Sequence, residues 1–304
     1  ATPADDSWPR NMNDAAAPAP ATPPSPKSRL EGRTLGSGWT LVERLPTPEG
    51  STGGTFGVGY RATRGDELAF VKAIDFVGAI NADDPLAALT KLVGIANFEK
   101  DVLEYCTARG MSRVLRYIGH EYVSADGSAD PMMRVSCLVM EAGREDLRRL
   151  FVGKGIGSCS WNLQVMTDVS AAVAQLHRGG IAHQNIKPSN VIQVSQSGGK
   201  PSEASMKVGD LGRVVRTDKA GPFDRLAWPG DQRYAPPERW YGYMPADWVD
   251  AREAADAYML GSLLVFLFTG ATLQSLVVNQ LPEPFRPGRW NGNYDQDLMV
   301  VLAD

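Results

Sequence analysis

The sequence predicts an α+β chain in two lobes, a small antiparallel sheet with one helix followed by a mainly helical half. Three observations predict it. Short apolar runs separated by turn residues occupy 39–74, a long stretch of helical periodicity spans 84–108, and helical periodicity dominates after Gly143. A cleft between the lobes follows from that order, and no internal repeat interrupts it.

Residues 1–30 are rich in Ala, Pro, Ser and Asp, with Pro18, Pro20, Pro23, Pro24 and Pro26 close together. They bury too little apolar surface to offset chain entropy and read as a disordered linker. The folded unit is expected over 31–304, with the small lobe at about 36–141 and the large lobe at about 142–304. Trp39–Arg44, Gly57–Thr63 and Leu68–Ile74 read as strands. Leu86, Leu89, Leu92, Val93, Phe98, Val102 and Tyr105 set a helical spacing over Asp84–Ala108. Two further strands are expected at Val114–Tyr122 and Met133–Met140. Helices follow at Arg144–Phe151, at Trp161–Arg178 and from Asp256, the last through an apolar run too short to span a bilayer.

With 43% hydrophobic and 22% charged residues the composition is that of a globular protein, and the net charge of −4 argues against a nucleic-acid binder driven by phosphate contacts. Three histidines are too few for a histidine-rich metal site. Cys106, Cys137 and Cys159 have no CxxC spacing and read as buried free thiols in a reducing cytoplasm. No secretory signal pattern opens the chain, and it lacks an initiator Met, so a fragment or trimmed chain is expected.

Chemistry concentrates in a few places. Gly53, Gly54 and Gly57 lie in a glycine-rich turn between two predicted strands, where backbone N–H groups can approach phosphate oxygens. Lys72 stands between apolar residues on the next strand, and an ammonium there needs an anionic partner. The most informative stretch is Ile181–Asn190, IAHQNIKPSN. Asp210–Leu211–Gly212, Pro236–Pro237–Glu238 and Asp256–Gly261 follow it in order, and Leu176–His177 precedes it.

Together these motifs resemble the eukaryotic-type serine/threonine protein kinases, from about Trp39 to the C-terminus. The resemblance implies the bilobal kinase fold, ATP and Mg²⁺ as ligands, and a protein substrate carrying Ser or Thr. By the same resemblance Lys72 contacts the α/β-phosphates, Lys187 steadies the transferring phosphoryl, and Asn190 and Asp210 ligate Mg²⁺. Met140 gates the purine pocket, with the Glu141 carbonyl and the Gly143 N–H facing the adenine edge. On the helix, Glu99 is the Lys72 partner by side-chain reach and Asp101 by register; both stay open. A small-molecule phosphotransferase would lack the Pro236–Pro237–Glu238 platform.

The departures are specific. Asn185 stands where the family carries the aspartate base, and an amide cannot accept the substrate proton at neutral pH. With Lys72, Lys187, Asn190 and Asp210 in place, that single isosteric change resembles an engineered trap; the alternative is a natural pseudokinase acting as a nucleotide-binding scaffold. Gln184 replaces the arginine that receives an activation-loop phosphate, so activity independent of that phosphate is expected. Asp231 stands where a threonine is usual; its carboxylate could pair with Lys187, and a plain turn Asp after Gly230 is the alternative reading. Helices implied beyond Asp304 are abbreviated or absent, which would leave core surface for a partner or a second copy.

Overall fold

The computed structural model describes residues 25–46, 57–195, 204–226 and 228–290, with Gly292 and Tyr294. Gly53, Gly54 and most of the expected linker lie outside the described residues. The small lobe is a five-stranded antiparallel sheet in the order β1-β2-β3-β5-β4, formed by β1 (Thr40–Arg44), β2 (Val58–Arg64), β3 (Glu67–Ile74), β4 (Tyr117–Ser124) and β5 (Arg134–Glu141).

Strand alternation decides what each face of this sheet does. Ala69, Val71 and Ala73 of β3 join Val135, Cys137 and Val139 of β5 in one apolar cluster with Leu30, Leu35, Trp39 and Tyr60. The residues between them, Phe70, Leu138 and Met140, pack against the opposite side, where the long helix lies. Lys72 shares that second face by the same period of two, so the strand itself aims it at the helix.

Ser25–Leu30 depart from the linker expectation. Pro26–Ser28 form a 3₁₀ turn, Leu30 is buried, and the Lys27 N–H donates to Asp75 Oδ2 at 2.9 Å. Leu30 fills the sheet's outer face, an apolar demand that the proline-rich composition hides.

A short helix, α1 (Val77–Ile80), precedes α2 (Pro85–Ala108). Pro85 starts α2, and the Asp84 carboxylate accepts from the Ala87 N–H at 3.0 Å, the usual stop for an open helix end. Ile95, Phe98, Glu99, Val102, Leu103 and Cys106 form its buried stripe, at the three- and four-residue spacing of one helix face. The expected strand at Val114 begins later, at Tyr117, because Leu115 N–H and Arg113 C=O bond Val208 instead.

The large lobe is built on α3 (Leu147–Lys154), α4 (Cys159–Arg178) and α6 (Ala254–Thr269), with the four-residue α5 (Pro237–Trp240) and α7 (Leu273–Gln280). Arg144 to Asp146 are not helical as expected. Arg144 N–H and Glu145 C=O bond Gln193, and Asp146 then caps α3. Short pairings β6 (Ile181–Ala182) with β9 (Val215–Arg216), and β7 (Val191–Val194) with β8 (Ser205–Val208), frame the loop between them. A π-helical turn, Val249–Glu253, leads into α6.

The lower core joins Val165, Val169 and Val173 of α4 to Met259, Leu263 and Leu267 of α6. Cys106 and Cys137 are buried as expected, but Cys159 is exposed at the start of α4. No single helix among the described residues is long and apolar enough to cross a membrane.

Candidate active site

Lys72 lies opposite Gly59 on β2 and Leu138 on β5. Its ammonium meets both carboxylate oxygens of Glu99, at 2.7 and 2.8 Å, and Asp210 Oδ1 at 3.6 Å. Burial alone would lower the Lys72 pKa, but these two carboxylates outweigh it and hold the ammonium above its ordinary range. Of the two helix acids, the structure joins Glu99 to Lys72. Asp101 turns outward and bonds Lys219 Nζ at 2.6 Å. The helix register is resolved by burial, since Glu99 falls on the stripe with Phe98 and Val102 and is 3% exposed.

The loop after β6 hangs on one carboxylate. Asp256, fully buried on α6, accepts from the backbone N–H groups of His183 and Gln184 at 2.7 and 2.8 Å. His177 Nε2 lies 2.9 Å from the same group. Gln184 adopts φ 59 and Asp210 φ 58, the two non-glycine residues with positive φ among the described residues. Such backbone persists where its surroundings over-determine it. The Gln184 amide donates to Arg252 C=O at 2.8 Å and to Asp256 Oδ1 at 3.1 Å, while its oxygen faces Arg252 Nη1 at 3.3 Å. That strained turn sets the buried Asn185 beside Asp210.

Asn185 Oδ1 accepts from Asp231 N–H at 3.1 Å, and Nδ2 points at Asp210 Oδ2, 3.4 Å away. Asn190 Nδ2 donates to Asn185 C=O at 2.8 Å, which turns its Oδ1 end to other work. Lys187 Nζ meets Asp231 Oδ2 at 3.0 Å, the pairing the sequence suggested. Arg233 grips the same carboxylate through Nε and Nη2 at 3.0 and 2.8 Å, a contact the sequence reading missed. Burial would raise the Asp231 pKa, but the hydrogen bonds from Arg233 and Lys187 hold it well below the ordinary carboxylate range.

Of these groups Lys72, Glu99, Asn190 and Asp210 line a cleft of about 330 Å³, together with Gly57, Met140, Glu141 and Gly143 among others. Asn185, Lys187 and Asp231 are buried and do not line it. Gly143 has a geometric reason: a Cβ there would collide with Ile192 Cγ2, so only glycine lets the strand end pass so close to β7. The Glu141 side chain accepts from Arg116 N–H at 2.7 Å and Lys207 Nζ at 2.6 Å. It thereby ties the end of β5 to β8 of the large lobe, a contact that no sequence motif announces.

The donor set fits a Mg²⁺–nucleotide. Among the described residues no group of three or more His, Cys, Asp or Glu could hold a metal alone. Asp210 and Asn190 offer two hard oxygen donors, and Mg²⁺ commonly takes one or two such protein groups with phosphate oxygens and water completing its shell.

A family model described as the protein kinase domain matches residues 107–280. A Wee1-like protein kinase of Arabidopsis thaliana is 29% identical over 147 residues, which is 47% of this chain and 26% of that protein. The match therefore spans about a quarter of that relative's length.

Proposed function

The chain belongs to the protein kinase domain family, and we propose that it has the serine/threonine layout, with phosphoryl transfer curtailed at Asn185. The observation that carries the proposal is the convergence of Lys72, Glu99 and Asp210 within 3.6 Å, with Asn185 3.4 Å from Asp210.

Lys72, fixed by Glu99, would orient the α/β-phosphates. Asp210 and Asn190 would hold Mg²⁺, which when bound offsets charge on the β- and γ-phosphates. Lys187, braced by Asp231, would lie beside the transferring group. At position 185 an aspartate would take the hydroxyl proton; the Asn185 amide can orient a hydroxyl but not deprotonate it, a loss of ~10²–10⁴ in rate. The preference for Ser or Thr rests on Lys187, two residues after the base position.

Phosphate incorporation from Mg²⁺–ATP, read by mass spectrometry on the chain and on Asn185→Asp, tests this. Transfer to Ser or Thr by the Asn185→Asp variant alone supports it, and transfer to Tyr alone overturns the residue preference. A second reading, a nucleotide-binding scaffold, is favoured by the engagement of both amide atoms of Asn185. It gains if both proteins bind Mg²⁺–ATP and neither transfers phosphate.

A further inference from the structure

We propose that the segment after Asp210 is clasped along one face of α2, and that this clasp keeps Glu99 on Lys72 without a phosphate. The inference rests on the kinase reading of the cleft for its functional consequence, but the clasp itself stands on geometry. Phe98, Asp101 and Tyr105 are spaced three and four residues apart, so they line one side of the helix. Each meets a different residue of the segment.

The Arg216 guanidinium lies 4.4 Å from the Tyr105 ring centroid. The same guanidinium forks onto Asp218 at 2.8 and 2.7 Å and is 9% exposed. Arg109 covers Tyr105 as well, at 4.7 Å. Lys219 reaches Asp101 at 2.6 Å. Gly221 lies so close to Phe98 that a Cβ would stand 2.8 Å from the ring. Glu99 follows Phe98 directly, so three contacts over two turns fix the helix rotation that decides whether Glu99 faces Lys72.

No phosphate is required by any of these contacts. The residue that would receive one is Gln184, which is buried and bonded to Asp256 and Arg252. Asp101, one of the two acids the sequence offered for Lys72, thus takes a positioning role instead. It acts through the helix and touches neither nucleotide nor reacting atoms.

Charge reversal and its rescue test the clasp. Lys219→Glu places two carboxylates together, and Asp101→Lys combined with Lys219→Glu restores an opposite pair. Backbone hydrogen exchange is read across 95–106, with α6 as the reference for intact folding, and Mg²⁺–ATP affinity is measured by calorimetry. The single variant is expected to speed exchange across 95–106 about three- to tenfold and to weaken nucleotide binding, while the swap recovers both. Gly221→Val, which forces a side chain against Phe98, should act in the same direction without altering charge. Unchanged exchange in both Lys219→Glu and Gly221→Val would overturn the proposal, as would a swap that fails to recover. If the unaltered chain does not bind Mg²⁺–ATP, the nucleotide reading fails, while the exchange data still decide the clasp.

Discussion

Asn185 Nδ2 lies 3.4 Å from Asp210 Oδ2, and this contact lets Asp210 sit in the cleft beside a neutral amide. In Asn185→Asp the same position would present a second carboxylate to Asp210. Two charges about 4 Å apart repel by between ~1 and ~4 kcal/mol across water-like to surface-like screening. The Asn185→Asp variant is therefore expected to melt lower without metal, and to recover when Mg²⁺–ATP is added. Thermal melts with and without Mg²⁺–ATP check this; equal melting of both forms without ligand would contradict it. The same variant should gain phosphoryl transfer by ~10²–10⁴.

Lys72 neutralises two carboxylates, and Glu99 is the more deeply buried of them. Lys72→Met would leave Glu99 without its cation, and breaking a buried pair this way costs about 3–5 kcal/mol. Urea unfolding should register most of that loss. Adding Glu99→Gln removes the stranded charge, so the double variant is expected to be more stable than Lys72→Met alone. Additive losses would show that Glu99 is stabilised by something other than the ammonium.

What the sequence disclosed and what it hid follow from the range of the signals. Lys72, Asn190 and Asp210 sit in local motifs whose spacing is set by one strand or one loop, and the Lys187–Asp231 pair joins two such motifs 44 residues apart. Glu99 against Asp101 was a question of which helix face is buried, and two acids two residues apart can be separated only once the packing partner is known. β6 to β9 are two to four residues long, too short for alternation to be visible. The burial of Leu30, the Arg233 fork on Asp231 and the Glu141–Lys207 bond each depend on packing that no single motif encodes. The exposed Cys159 marks the limit of composition, because a residue type that is usually buried was placed at a helix start.

Thr217 and Tyr234 carry the hydroxyls between Asp210 and Glu238. Thr217 N–H donates to Gly180 C=O at 3.0 Å, and its hydroxyl points to the same oxygen at 3.4 Å. With Gln184 buried against Asp256, no cation at that position awaits a phosphate. In the Asn185→Asp background, Thr217→Ala should change the transfer rate less than about threefold, since only one exposed neutral hydrogen bond is lost. A fall of tenfold or more in a steady-state assay would show that phosphorylation of Thr217 governs the site.

His177 links stability to pH through Asp256, the residue that holds the loop after β6. Its Nε2 lies 2.9 Å from Asp256 Oδ2, and Nδ1 lies 3.7 Å from Glu253 Oε2. Burial favours the neutral imidazole and would lower the His177 pKa. Asp256 and Glu253 outweigh it, and His177 is held above its ordinary value of 6.5. The folded chain then binds this proton more tightly than the unfolded chain does. Its contribution to stability is complete below the unfolded value and is lost as pH rises through the higher folded value. Burial holds His120 and His183 below their ordinary value, and their contributions rise with pH, so the check is the difference between the chain and His177→Gln. The urea stability lost on that substitution, which keeps a donor toward Asp256, should shrink as pH rises from about 6 to 8. A difference that does not change with pH would show that His177 does not link stability to pH.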